Sequence, residues 1–407
     1  MTERAVAVTG MGIVSPAGSN VERNWNRVCS GTPTAMADPA LIGGPVTFSC
    51  RISDFDVDCL PNPRQTRRLD RFAQLALVAA NDALADAGID TNDWNGSRVA
   101  VVIGNGAGGQ TSLDDQYRIL EEKDHSHVSS LLLPMFLPNM VAGQISLSFG
   151  ITGPAMIVGT ACASGADAIG IARELLNSGR CDIALAGGTE VMLTPMMVAG
   201  FARMKVLSTR NSCPTSASRP FDRKRDGLVL SEGAGILVLE RWKDADARRA
   251  RIHGILRGYG ASSDAHHVTT PEPRGLGLER AIKSALEDAE IGSSAVKHVN
   301  AHGTSTRLND VIEAQVLSRV FGQHTSVTST KGVTGHTFGA AGAIEAIFTI
   351  LTLQRGLIPP TANLTELDPD VDLDVVAGVP RVQEIDTAVS NSMGFGGHNS
   401  ALVFTRM

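Results

Sequence analysis

Residues 155–170 read AMIVGTACASGADAIG, and the periodicity of this stretch changes in its middle. The first six residues form an apolar run closed by Gly159 and Thr160, the pattern of a buried strand. From Cys162 onward, Ala163, Ala166, Ile169, Ala172 and Leu176 recur at three- and four-residue steps. That spacing predicts a helix over 162–177 whose apolar face is made of small side chains. A strand running directly into such a helix is the repeating unit of an α/β protein. The junction also places a thiol at a helix N-terminus, where free N–H groups and the helix dipole favour the thiolate and lower its pKa. Ala161, Ala163, Ser164 and Gly165 are small enough to let a substrate reach the sulfur. A lone cysteine at a strand–helix junction is more often a packing residue, so the segment needs support from elsewhere in the chain.

The same alternation continues in both directions. AVAVTG (5–10), VAVVIG (99–104) and DIALAGG (182–188) have the look of buried strands, and Thr66 to Ala87 of a helix. Farther on come RIHGILRGYG, a helix from Gly275 to Ala289, HVNAHG, a helix from Thr306 to Phe321, SVTST and a helix from Phe338 to Gln354. Strands near Ala388 and Ala401 close the chain. The spacing predicts an α/β protein with mostly parallel sheets. Charges cluster from Asp244 to Arg251, after the strand GILVLE, and divide an N-terminal half (1–250) from a C-terminal half (251–407).

Composition narrows the function classes. At 407 residues the chain is longer than one simple core supports, and 43% apolar with 19% charged residues is an ordinary globular balance. A net charge of −6 without long single-sign runs argues against nucleic acid as a ligand. The opening MTERAVAVTG lacks the pattern of a secretory signal, and the apolar stretch at 131–143 is broken by Pro134 and Pro138 and too short for a bilayer. Six cysteines (Cys29, Cys50, Cys59, Cys162, Cys181, Cys213) show neither CxxC pairs nor zinc-like spacing, which suggests reduced thiols in the cytoplasm and no metal.

One motif points elsewhere. GNGAGG (104–109) satisfies G-x-G-x-x-G between a strand and a helical stretch, as a dinucleotide-binding turn would. No strand ending in Asp or Glu follows about twenty residues later to hold a ribose. Glu121 and Glu122 lie instead in a polar helix, so tight backbone packing is the better reading.

Three further segments can carry chemistry. In HVNAHGTSTRLND (298–310), His302 stands at the C-terminal end of a strand, where α/β sites gather, with Asp310 and Glu313 downstream as possible partners. In TKGVTGHTFGAAGAIEA (330–346), His336 precedes a helix and Lys331 lies five residues before it. NSMGFGGHNSALVF (391–404) is a glycine-dense turn whose backbone can approach a ligand closely. Each taken singly also fits a polar loop, a capping histidine or a plain turn. Together they supply a thiol, two imidazoles, a lysine and an amide-rich loop, each near a strand end.

TACASG, NAHGTST, KGVTGH with GAAGA, and NSMGFGGHN resemble the signature blocks of elongating β-ketoacyl-acyl carrier protein synthases of type II. The flanking VTGMGIVSPAG, SRPFDRKRDGLVLSEGAGILVLE and SSDAHHVTTPEP fit as well, so the likeness covers nearly the whole chain in order. It implies the thiolase fold, two pseudo-equivalent α/β halves in five αβαβα layers. It also implies Cys162 as the nucleophile that holds the acyl chain, with His302 and His336 binding the malonyl thioester carbonyl. Backbone amides of Cys162 and Phe395 would form the oxyanion hole, Lys331 would orient the histidines, and Asp310 and Glu313 would support that network. Phe395 resembles the family's gating phenylalanine. No cofactor is implied beyond the phosphopantetheine of the carrier.

Acyl carrier protein is the implied partner. The basic set Arg64, Arg67, Arg68 and Arg71, with Arg203 and Lys205, is expected to dock it. The chain is expected as a homodimer, or as a heterodimer with a chain-length-factor-like subunit, in fatty acid or polyketide synthesis. It departs from the family's usual form at Met393, His398, Arg307 and Ala163, and Met393 suggests a reshaped acyl pocket. A thiolase would need a second cysteine late in the chain, and none follows Cys213. A non-catalytic partner subunit would have lost the cysteine, and a nucleotide-dependent oxidoreductase rests on GNGAGG alone.

Overall fold

A computed structural model describes residues 4–53, 55–60 and 62–407. Its backbone is an eleven-stranded sheet: β1 (Val6–Val14), β2 (Val99–Gly104), β3 (Ala155–Val158), β4 (Ile183–Val191), β5 (Glu232–Arg241), β6 (Gly254–Ser263), β7 (His298–Asn300), β8 (Ser326–Thr328), β9 (Asp374–Val375), β10 (Thr387–Gly394) and β11 (His398–Thr405). The N-terminal half runs β1-β5-β4-β2-β3 across the sheet, and the C-terminal half runs β6-β11-β10-β7-β8. Leaving aside the two-residue β9, which adds to the outer edge beside β8, each half places its first, fifth, fourth, second and third strands side by side. The pairings repeat too: antiparallel for the first two contacts, then parallel for the last two. This duplicated topology is the thiolase fold. The halves join where Val6–Val8 of β1 pairs antiparallel with Gly254–Leu256 of β6.

The expectation of mostly parallel sheets needs correction, because only the outer pairings are parallel. The inner strands run antiparallel since the last strand of each half doubles back beside the one before it. In the C-terminal half this return is a tight turn in which Gly396 (φ +85°) and Gly397 (φ +76°) adopt left-handed backbone. Glycine has no Cβ to oppose that conformation.

Five helices build the remaining layers: α1 (Arg71–Asp86), α2 (Ser164–Asn177), α3 (Leu276–Ala289), α4 (Arg307–Phe321) and α5 (Ala341–Arg355). Helix α1 covers β1 and β5 on the outside of one half, and α3 covers β6 and β11 on the outside of the other. Helices α2 and α5 pack together in the middle layer. Every residue of α5 from Ala341 to Leu353 is buried, which gives an apolar helix with no outward polar face. Small side chains permit the contact: a Cβ on Gly342 would fall 2.7 Å from the backbone nitrogen of Ala166. The face expected on 162–177 is inward, with Ala163, Ala166, Ile169, Ala172 and Leu176 all buried.

The helix expected over 66–87 is two elements. A short turn of helix at Pro63–Thr66 ends before α1, and Asp70 caps α1 by accepting from the N–H of Phe72 (3.2 Å). An aspartate ahead of an apolar run is a helix-start signal that outweighs the periodicity across it.

Candidate active site

Cys162 sits in a single 3₁₀ turn (Ala161–Ala163) between β3 and α2. The turn is held from below: Ser164 Oγ donates to the carbonyl of Ala161 (2.6 Å) and accepts from the N–H of Thr160 (2.9 Å). Ala161 has φ +51°, an unusual conformation for a residue with a Cβ, and it sets the sharp bend that lifts the thiol off the strand end. The backbone N–H of Phe395 points to the sulfur. Burial pushes the Cys162 thiol up to about 12, with Lys331 pulling in the opposite direction. The lowered pKa expected from the helix start is thus overturned. Desolvation of a sulfur that is only 6% exposed outweighs a partial charge at one helix end.

His336 lies beside it, with Nε2 at 3.1 Å from Sγ. Its backbone is clamped on both sides: its N–H donates to Val229 (2.8 Å) and its carbonyl accepts from Ser231 (3.1 Å). Nδ1 accepts from the N–H of Phe338 (3.3 Å), which leaves the ring proton on Nε2, facing the sulfur. The Phe338 ring stacks on the imidazole at 4.5 Å. His302 meets His336 edge to face, centroids 5.3 Å apart. The Lys331 ammonium is 3.5 Å from Nδ1 of His302, so this ring too carries its proton on Nε2. Burial first, then the Lys331 charge, hold both imidazoles well below their ordinary pKa, and both are neutral donors.

Lys331 is itself 1% exposed. It donates to the carbonyl of His302 (2.6 Å) and pairs with Glu345 of α5. Burial pushes Glu345 up to about 7, against the pull of Lys331. Neither acid expected beside His302 touches its ring. Glu313 accepts from the backbone N–H groups of His302 and Gly303, both at 2.7 Å, and so fixes the turn that carries the imidazole. Asp310 accepts from Phe221 N–H (2.8 Å) and Ser305 N–H (3.2 Å) and faces the buried Arg225 at 3.4 Å. Both acids hold backbone rather than the ring.

Glu190 and Glu345 are buried acids of the site that no sequence motif marks. Glu190, at the end of β4, receives Gly106 N–H (2.7 Å), Ala107 N–H (3.3 Å) and the Asn105 amide (3.0 Å). The amides of GNGAGG therefore serve a protein carboxylate, and the motif is a packing turn. The readable signal for Glu345 was a single charge in the apolar run GAAGAIEAIFTILT. Such a charge demands a buried partner.

A cavity of 630 Å³ reaches this cluster, with Cys162, His302, His336, Phe338 and Phe395 at its buried end. Lys205, Met204, Arg307 and Leu308 line it where the chain is exposed. Thr270, Thr304, Thr306 and Asn309 add polar groups to the lining, and Thr269 adds another on its exposed part. Against Cys162 packs an apolar cluster including Met192, Val198, Phe201, Phe338 and Phe395. Met393 lines the cavity but packs with Val299, Val389 and Ala401 in the C-terminal core, away from that cluster. Ala163 is wholly buried, and His398 lines a second, smaller cavity with Asp167 and Tyr259.

Of the expected docking residues, Arg64, Arg67, Arg68, Arg203 and Lys205 are exposed, and Arg67 pairs with Asp58. Arg71 must be removed from that set. Its guanidinium is bidentate to the buried Glu232 (both 2.7 Å) and donates to the carbonyl of Ile52, so it is spent inside the fold.

Cys162, His302 and His336 bring one sulfur and two ring nitrogens within 4.8 Å of one another, a metal-sized group among the described residues. The Lys331 ammonium beside His302 opposes a dication there and suits a ligand that develops negative charge. Two imidazole N–H groups and the Phe395 amide converge near a nucleophile, which is the equipment for stabilising an oxyanion or enolate.

Residues 3–245 match the β-ketoacyl synthase N-terminal domain and residues 253–365 the C-terminal domain. A 3-oxoacyl-[acyl-carrier-protein] synthase 2 of Synechocystis sp. is 40% identical over 100% of this chain and 99% of its own. The crystal structure of a β-ketoacyl synthase from Burkholderia phymatum superposes with a TM-score of 0.93 at 37% identity, covering 99% of each chain. A type II polyketide ketosynthase bound to a hexaketide, in complex with its acyl carrier protein, superposes at 0.92 with 31% identity over 100% of both chains.

Proposed function

The chain belongs to the β-ketoacyl synthase family, and from that premise we propose that it is an acyltransferase joining an acyl group on Cys162 to a malonyl unit by decarboxylative condensation. The observation that carries this is the thiol of Cys162 at 3.1 Å from a neutral, Nε2-protonated His336 at the end of a cavity reaching the surface.

In the first half-reaction the sulfur attacks the carrier thioester. The amides of Cys162 and Phe395 receive the oxyanion, and the thiol proton ends on the departing carrier thiol. In the second, the carboxylate–carbon bond of the malonyl thioester breaks and carbon dioxide leaves. The electron pair becomes an enolate whose oxygen is held by the Nε2–H groups of His302 and His336. Its carbon attacks the acyl–Cys162 carbonyl, the acyl–sulfur bond breaks as the new carbon–carbon bond forms, and the departing thiolate takes a proton from water to restore the thiol. The steps balance with substrates delivered on phosphopantetheine and no further cofactor. Lys331 acts through His302, and Glu313, Asp310 and Glu345 act as positioning residues.

The carrier docks on the exposed Arg64, Arg67, Arg68, Arg203 and Lys205 in this reading. A second chain completes the molecule, the two-half division falls at 250/251, and the site of action is the cytoplasm; no described helix is long and apolar enough to cross a membrane. Identity is higher to the 3-oxoacyl synthase relative than to the polyketide ketosynthase, which favours fatty acyl substrates; the 0.92 superposition on the latter keeps a polyketide substrate as the second reading.

Intact-protein mass spectrometry with a panel of acyl carrier protein thioesters tests it. The expected result is a mass gain equal to the acyl group, absent in Cys162→Ala. A chain that stays unmodified by saturated and polyketide thioesters alike, with a candidate partner subunit supplied, overturns the proposal.

A further inference from the structure

A second cavity, of 340 Å³, has Thr160, Asp167, Tyr259 and His398 in its lining and shares only Asn399 with the lining of the Cys162 cavity. Two of its side chains can carry opposite charge, Asp167 and His398. Each stands against one of the two turns that carry the oxyanion-hole amides, and the condensation steps use neither.

Asp167 lies in the first turn of α2 and is 5% exposed. It accepts from Thr160 Oγ1 (2.5 Å) and from the Tyr259 hydroxyl (3.0 Å). Thr160 opens the nucleophile turn, and its carbonyl accepts from the N–H of Ala163 (3.1 Å). The carboxylate therefore fixes the turn that presents the Cys162 N–H. Burial pushes the Asp167 carboxyl up, while the hydroxyls around it, Thr160 first, and the His398 charge pull it down.

His398 opens β11, where its backbone pairs with Gly394 and Ser263. The turn that carries Phe395 lies between Gly394 and His398. The imidazole folds back on that turn: a Cβ on Gly396 would fall 3.0 Å from both Cδ2 and Nε2. Asp264, packed on the neighbouring Gly397, is already taken up by Asn399 Nδ2 (2.7 Å) and the N–H of Glu272 (3.1 Å). The Tyr259 hydroxyl is spent on Asp167, so Asp167 is the carboxylate that His398 faces across the cavity. The two turns also touch, since a Cβ on Gly394 would fall 2.4 Å from the Thr160 carbonyl oxygen and 3.2 Å from the Cys162 nitrogen. Attraction between the two side chains thus pulls the Phe395 turn toward the Cys162 turn.

We propose that His398 and Asp167 are positioning residues for acyl transfer, holding the Phe395 and Cys162 turns together across the second cavity so that their N–H groups converge on one oxyanion. The proposal rests on the condensing-enzyme reading. His398 is one of the positions at which the chain departs from the family's usual form, so the device belongs to this chain. Neither side chain lines the Cys162 cavity, and both act through the turns alone. An amide moved off the oxyanion weakens binding of the transition state while the bound thioester is held as before.

Acylation of Cys162 by an acyl carrier protein thioester, followed by mass over a range of thioester concentrations, tests this. His398→Gln keeps the reach of the side chain and removes its charge. Its maximal acylation rate should fall by about tenfold, less than the roughly 100- to 1000-fold lost when a donor is removed outright, with the half-saturating concentration unchanged. Asp167→Asn should behave alike, and the double variant should be no slower than the slower single, because the two side chains act as one device. An unaltered maximal rate in His398→Gln overturns the proposal, and so does a loss that shows only as a raised half-saturating concentration. Losses that multiply in the double variant overturn it too. If circular dichroism shows Asp167→Asn unfolded, the rate split in His398→Gln decides alone. An unaltered enzyme that takes an acyl group from no thioester counts instead against the condensing-enzyme reading.

Discussion

At the scale of single residues, the site is governed by desolvation. The resting Cys162 thiol is raised by burial, whereas the exposed Cys213 is lowered, first by the Ser216 hydroxyl. A thiol with a raised pKa has less thiolate at any given pH, and its thiolate fraction keeps rising until that pKa is passed. Haloacetamide labelling followed by peptide mapping should therefore modify Cys213 readily near neutral pH. Labelling of Cys162 in the ligand-free enzyme should rise through pH 7 to about 10 without levelling off. A plateau for Cys162 by about pH 8 would show that the helix start dominates after all. Lys331 makes a second case. Removing one partner of a buried pair strands the other charge, a cost of about 3–5 kcal/mol, whereas removing both is far milder. Lys331→Met should lower the unfolding free energy by that amount, and Lys331→Met with Glu345→Met should recover most of it. Condensation should remain impaired in both, because His302 has lost its ammonium neighbour. Equal stability of the single and double variants would refute the account.

At the scale of elements, the chemistry sits at element boundaries. Cys162 is on the turn into α2, His302 on the turn after β7, His336 ahead of α5, and Phe395 between β10 and β11. Each segment was visible in the sequence because its boundary is marked by small residues. Less visible was how the supporting acids act. Asp310 and Glu313 lie on α4 within reach of His302, yet spend themselves on backbone N–H groups. The basic set divides in the same way. Arg71, as the first residue of α1, turns inward to Glu232, while Arg67 and Arg68 stay in the exposed turn before it. Charge reversal at Arg67 and Arg68 should raise KM for carrier-bound substrate while barely changing turnover of small thioesters. Equal losses on both substrates would count against docking at this turn.

At the scale of the whole molecule, apolar side chains stand exposed on a segment at one edge of the sheet. The segment 110–149 exposes Tyr117 (59%), Leu133 (61%) and Leu147 (72%), and its last helix packs on β3, the edge strand of the sheet. Exposed apolar side chains on a segment that packs on an edge strand are expected where a second chain docks. Analytical ultracentrifugation should give a particle of twice the 42.7 kDa chain mass, and Leu133→Asp should weaken it. A monomer at micromolar concentration that dimerises only with a different subunit would mark the heterodimeric arrangement instead.

The sequence by itself determined the α/β character and picked out the segments of Cys162, His302, His336 and Lys331, which the fold brings together. Chemistry of this kind needs particular side chains, and particular side chains leave readable motifs. The duplicated strand order, the antiparallel centre and the direction of the Cys162 pKa were decided only in the tertiary structure. Pairing and desolvation depend on what packs from distant parts of the chain. Glu190 illustrates the division: its partners lie more than eighty residues away, and only the closing of β4 against β2 brings the glycine-rich turn onto its carboxylate.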